Sequence, residues 1–199
     1  MRSFYPIVNV PQSRPQGLKV KIVNKPLNLL VTLAEMKNVL RVNHDNDDNY
    51  IVSLLRGVEE EITGVINRSV TERAWQASFS SAPKTVKLPF GPVTEITLVE
   101  RIKSDGTRET IPTTDYFLEV DAFPDTLTFR RWELGRIIVT YRAGYEANEV
   151  PARIRPAIFQ EVALQYKNRQ DPDTGGSVVV RGLSAEALLL LNDMIDHPL

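Results

Sequence analysis

Arg136-Ile-Ile-Val-Thr-Tyr-Arg-Ala-Gly-Tyr145, followed by Val150-Pro151 and an amphipathic run ending Gln165-Tyr-Lys-Asn-Arg169, is the stretch whose reading decides the fold. Its β-branched run predicts a strand over Arg136–Tyr141, and Gly144 predicts a turn. Val150-Pro151 then puts proline at the first turn of a helix over 151–168, with Ile154, Ala157, Ile158, Val162 and Leu164 to Tyr166 as its apolar surface. A strand thus hands the chain through a glycine turn to a helix.

Upstream of that junction, from Ser69, apolar residues recur with a period of two. Strands are expected near Val70–Phe79, Thr85–Leu88, Ile96–Lys103, Tyr116–Val120 and Thr126–Phe129. Ser104-Asp-Gly-Thr107 reads as a hairpin turn, because Asp-Gly supplies the positive φ of tight turns. Leu88-Pro-Phe-Gly-Pro-Val93 reads as a break, since two prolines exclude a central strand.

Further upstream the period becomes helical. Thr32 followed by Glu35 is the pattern of a capping box opening a short helix near 32–41, with Leu33, Met36, Val39 and Leu40 on its apolar face. Asn43 to Asn49 is polar, and its Asp and Asn side chains are placed to cap the next helix. That helix, near 48–67, carries Ile51, Leu54, Leu55, Val58, Ile62, Val65 and Ile66 on one face and Glu59, Glu60 and Glu61 on the other. Leu18–Val23 alternates apolar and basic residues, as a half-buried strand or an arm lying on a neighbour would. Met1–Gly17, with Pro6, Pro11 and Pro15, reads as an extended arm.

Beyond Arg169, Asp171-Pro-Asp-Thr-Gly-Gly176 reads as a loop, and Ser184 is placed to cap a last helix over 184–195. Leu183, Ala187 to Leu191, Met194 and Ile195 surround most of that helix, so it needs partners on more than one side. Two readings fit: a core helix, or a helix in contact with a second subunit.

The expected architecture is therefore α+β. A small helical bundle, residues 18–68 and 146–199, carries an antiparallel strand-rich lobe, residues 69–145, inserted between its second and third helices, and residues 1–17 form the arm.

With 199 residues the chain is long enough for one ordinary core, or a core with a small lobe. Its formal net charge of −1 supplies no field that would draw it bodily onto nucleic acid or anionic lipid. No cysteine is present, so disulfides and thiolate chemistry are excluded. The longest purely apolar run, Ala187–Leu191, falls far short of the roughly 20 residues that cross a bilayer. The expectation is a soluble, unexported protein.

No constellation carries catalysis. Asp45-Asn-Asp-Asp-Asn49 begins like a calcium loop, but Tyr50 replaces the turn glycine and Arg56 stands where the bidentate Glu belongs. His44 and His197 are the only histidines and lie far apart, so neither a metal site nor a nucleophilic triad assembles around them. Asp115 with Asp121, and Asp121 with Asp125, are carboxylate pairs of a kind any acidic chain offers. Gly175-Gly176 lacks the strand and the Gly-Lys-Ser/Thr ending of a phosphate loop. Arg130-Arg131, and Arg153 with Arg155, are the compact basic groups; phosphate contact competes there with solvated or intersubunit pairing. No cofactor and no metal are expected.

The order of blocks is nonetheless specific. Thr32 to Val42, an acidic gap, a long helix ending Ile62-Thr-Gly-Val-Ile-Asn67, then Trp75, Leu88 to Val93, Tyr116, Val139 to Tyr145, Val150-Pro151 and Tyr166-Lys-Asn-Arg169 resemble, in this sequence, the head-tail connector proteins of tailed phages in their long form with a strand-rich insertion. The resemblance spans about Val31 to Arg169.

It implies a structural adaptor without enzymatic activity, in the neck of the virion, assembled in the host cytoplasm. About twelve copies would form a ring below the portal protein, extend the channel through which DNA passes without sequence recognition, and dock the next neck or tail protein. No membrane is involved. On this reading Leu188, Leu191, Met194 and Ile195 carry the portal contact, the arm and the strand-rich lobe carry lateral contacts, and Arg130, Arg131, Arg153 and Arg155 are candidates for touching DNA phosphate. Two other classes compete: a virion accessory module recognising a receptor or carbohydrate through Trp75, Trp132 and nearby tyrosines, and a carboxylate-dependent hydrolase.

Overall fold

The computed structural model describes residues 17–24, 28–81, 84–120, 124–130, 135–146, 148–168 and 182–195. Four helices and two antiparallel sheets make an α+β fold among these residues. Buried side chains form two clusters. One joins the helices through Met36, Ile51, Leu55, Ile62, Ile158 and Leu191; the other joins the strands through Trp75, Leu88, Leu127, Phe129, Val139 and Tyr141.

The first helix, α1 (Leu33–Leu40), starts as its sequence dictates: Thr32 Oγ1 accepts the Glu35 N–H, and the Glu35 carboxylate accepts the Thr32 N–H at 2.8 Å. Those bonds to Thr32, backbone first, hold the Glu35 carboxyl below its usual range. The second helix, α2 (Asp48–Ile66), presents Ile51, Leu55, Val58 and Ile62 to the core. Its N-cap, Asp47, makes no side-chain capping bond. The expected role of the acidic loop is corrected accordingly, because its carboxylates are spent on longer ties. Asp45 and Asp48 both pair with Lys37 at 2.7 Å, and Asp47 accepts the Tyr166 hydroxyl.

Glu59 departs from its expected place on the solvated face of α2. It is buried, and its carboxylate takes the Leu30 N–H at 2.6 Å. Burial raises its pKa against that bond. An amide of the segment leading into α1 has no helical or sheet partner, and a carboxylate at the border of the apolar stripe satisfies it.

The larger sheet has five strands in the order β1 (Leu18–Ile22), β2 (Arg73–Phe79), β8 (Arg136–Ala143), β4 (Val93–Ile102), β5 (Arg108–Thr110). Strand β8, at its centre, is buried at five of its eight positions, which is why its sequence reads as a continuous β-branched run. Residues Leu18–Ile22, expected with the helical part, pair with β2 from Leu18 opposite Phe79 to Ile22 opposite Trp75. They belong to the sheet. The hairpin at 104–107 forms as expected, Asp105 accepting the Thr107 N–H at 2.8 Å, and β5, too short to show a period, follows it. Three further strands, β3 (Thr85–Lys87), β7 (Thr126–Phe129) and β6 (Tyr116–Glu119), pair in that order as the second sheet.

Gly144 ends β8 with φ of 144°, and a Cβ there would meet the backbone of Glu72 at 2.5 Å, so the turn requires glycine. The next helix, α3, runs over Ile154–Asn168, three residues later than the proline at 151 suggests. Pro151 closes a turn to Ile154 at 3.0 Å, and Pro156 is the proline in the first helical turn, where a missing N–H costs nothing.

Candidate partner-binding surfaces

The C-terminal helix α4 (Ala185–Ile195) is positioned by two polar devices. Ser184 Oγ accepts the Ala187 N–H at 3.3 Å, and Glu161, wholly buried on α3, accepts the Ser184 N–H at 2.9 Å. The second oxygen of Glu161 accepts from Gln165 at 3.0 Å. A carboxylate at a helix N-terminus satisfies an orphan amide and meets the positive end of the helix dipole.

That anchoring sets which face of α4 turns inward. Ala187, Leu191 and Met194 enter the helical core, and Leu191 has no exposed surface. Of the four residues expected at a portal contact, Leu188 and Ile195 keep partial exposure, whereas Leu191 and Met194 serve the chain's own core. The outward face instead carries Leu189, which is 75% exposed and was not among the residues singled out. In a run of five consecutive apolar residues, periodicity alone does not show which one faces out.

The basic candidates are placed on separate elements. Arg153 pairs with Asp193 of α4 at an exposed position. Arg155 donates to Leu30 O at 2.9 Å and pairs with Glu35, tying α3 to α1 and the segment before it. Arg130 is exposed beyond β7, its N–H on Asp115 O at 2.9 Å, and Arg131 lies outside the described residues. Arg153 and Arg155 therefore each already hold a carboxylate.

Trp75 is buried, stacked on Phe90 with ring centroids 4.1 Å apart, and its Nε1 donates to Ser69 Oγ at 3.2 Å. It is therefore a core residue and not part of the exposed aromatic platform that the competing accessory-module reading needs; Trp132 lies outside the described residues. Tyr141 is likewise buried, donating to Pro89 O at 2.6 Å, and burial raises its pKa. Asp125 accepts the Val93 N–H at 2.6 Å and is buried, so burial raises its pKa as well; Asp121 is outside the described residues. Among the described residues no cluster of three or more His, Cys, Asp or Glu could hold a metal, and no helix is long and apolar enough to cross a membrane.

Among the described residues a helical core is joined to a strand-rich part, and the last helix displays one apolar side chain, Leu189. The comparisons agree with the motif resemblance. A family described as phage gp6-like head-tail connector protein matches residues 30–104, under half of the chain. No curated protein matches. Among solved structures, a chain in the neck of an empty GTA particle computed with C6 symmetry is 18% identical, covers 91% of this chain and 97% of that chain, and superposes with a TM-score of 0.73. A chain in the virion of a native gene transfer agent particle is 17% identical, with 90% and 96% coverage and a TM-score of 0.72. One from the native particle's neck computed with C12 symmetry is 19% identical, with 91% and 97% coverage and a TM-score of 0.70. The chain thus shares its fold over nearly its whole length with these proteins and resembles the head-tail connector family in sequence.

Proposed function

We propose that this chain is a structural, non-enzymatic head-tail adaptor that forms a ring in the neck of a tailed phage-like particle, below the portal. The ring extends the DNA channel and docks the next neck or tail component. The observation that carries this reading is the fold shared over nine-tenths of the chain with particle neck proteins, one of them computed with C12 symmetry, together with the connector-family match over residues 30–104. A head-to-tail interface that closes by rotation builds such a ring from one chain type.

The portal contact falls on the C-terminal helix, where Leu189 with the exposed parts of Leu188 and Ile195 offers apolar surface. Native mass spectrometry of the purified protein with the portal from the same genome tests the proposal. Capture of about twelve copies per portal ring is the expected result. A monomer that stays free under all conditions refutes it.

A further inference from the structure

An open groove of about 1130 Å³ lies between the larger sheet and the segment leading into α1, lined among others by Leu30, Thr71, Arg73, Arg142, Tyr145 and Arg155. Three arginines are among its lining, in unequal states. Arg142 pairs with Glu72 at 2.6 Å and Arg155 with Glu35. Arg73, at the start of β2, is only 4% exposed and has no carboxylate within ion-pair distance among the described residues. Its Nη2 donates to Thr71 Oγ1 at 3.3 Å, and its buried Nε has no partner.

The surroundings compensate that charge only from a distance. The guanidinium lies 5.8 Å from the Trp75 ring centroid, and Glu59 and Glu60 act on it through space while Glu59 is engaged with Leu30 N–H. Burial pulls the Arg73 pKa down, the direction expected of a cation short of partners. Buried guanidinium donors are ordinarily satisfied, and leaving them empty destabilises the fold.

We propose that the groove is an acceptor site for a carboxylate, filled on assembly by an Asp or Glu side chain of a neighbouring copy of this chain. The occupant rests on the ring reading above. A planar guanidinium with an unpartnered Nε–H matches a carboxylate, and in a closed head-to-tail ring every copy offers both the groove and the acid. Glu72 and Glu146 on the lining oppose the multiple charges of a nucleic-acid backbone more than a single carboxylate. Glu186, exposed in the first turn of α4, is an acid of the required kind.

Two measurements on the full chain test this with Arg73→Met and Arg73→Lys. In thermal melts of the isolated protein, sodium acetate should raise the wild-type Tm above that in sodium chloride at matched ionic strength. Arg73→Met should lose that response and itself melt a few degrees higher in chloride, because an unpaired buried charge is gone. In assembly, followed by native mass spectrometry with and without the portal, Arg73→Met should weaken self-association about a hundredfold. Arg73→Lys should fall between.

If Arg73→Met does not fold, the acetate response of Arg73→Lys against wild type decides. An undiminished response in the variants, or unchanged assembly of folded Arg73→Met, overturns the site and leaves the adaptor reading standing. A wild type that responds to acetate but assembles neither alone nor on the portal overturns the neighbouring-copy occupant together with that reading. Loss of duplex-DNA binding, read by fluorescence anisotropy, without loss of assembly assigns the groove to phosphate and overturns the proposal.

Discussion

Replacing Leu191 and Leu189 separately by alanine should divide the two faces of α4 energetically. Leu191 has no exposed surface and sits in the helical core with Ala187 and Met194, whereas Leu189 is 75% exposed. Truncating a buried leucine removes three carbons, worth roughly 2.4 kcal/mol of transfer at ~0.8 kcal/mol each. The cavity left behind carries the total to about 3–5 kcal/mol. Leu189→Ala should change stability by no more than about 0.5 kcal/mol. In urea, followed by far-UV circular dichroism with a slope of about 2 kcal/mol per molar, the Leu191 variant's midpoint should fall by roughly 1.5–2.5 M. If both variants unfold with the wild-type midpoint, α4 is not docked in the isolated chain and the placement of its inner face is wrong. A companion variant, Leu189→Asp, should stay folded yet fail to bind the portal.

Three further outcomes are expected. Gly144→Ala should cost about 2 kcal/mol or more, seen as a lowered Tm, since its Cβ would meet the Glu72 backbone at 2.5 Å. Thr32→Ala should cost about 1 kcal/mol in chemical denaturation through loss of the capping box. For Glu59 the folded-state pKa lies above its ordinary value of 4.5, so the fold holds its proton more tightly than the unfolded chain does. The stability contributed by that proton is therefore full below pH 4.5 and is lost as pH climbs through the raised pKa. Glu59→Gln should flatten that part of the Tm-against-pH curve; a curve that keeps its slope argues against Glu59 as its source.

What was legible in the chain was whatever a local rule dictates. Thr32 with Glu35 specifies a cap, Asp105-Gly106 a hairpin, Ser184 a helix start, and the β-branched run of β8 a buried strand. The pairing of β1 with β2 depends on partners more than fifty residues apart, and Lys19 and Lys21 made it equally readable as a surface arm. The polar interior was the least legible part. Glu59, Arg73 and Glu161 look like solvated charges by composition, yet each is buried. Their signal was positional: Glu161 adjoins Val162, and Glu59 adjoins Val58, at the margins of apolar stripes. For the candidate surfaces, the sequence marked α4 as over-supplied with leucine but held no information on its rotation, which depends on the bond that the Ser184 N–H donates to Glu161.

The manner in which α1 is held has a dynamic consequence. Met36 is the one fully buried side chain of this eight-residue helix, and much of the remainder of its attachment is ionic: Lys37 to Asp45 and Asp48, and Glu35 to Arg155. Solvent-accessible ion pairs weaken with salt, whereas the apolar stripe of α2 does not. Helix α1 is thus the element set to open alone, ahead of global unfolding. Its amides should exchange hydrogen faster than those of α2, by a margin that widens with ionic strength. A chain built in this way can loosen one short helix, and with it Met36, while the strand core and the packing of α2 on α3 persist.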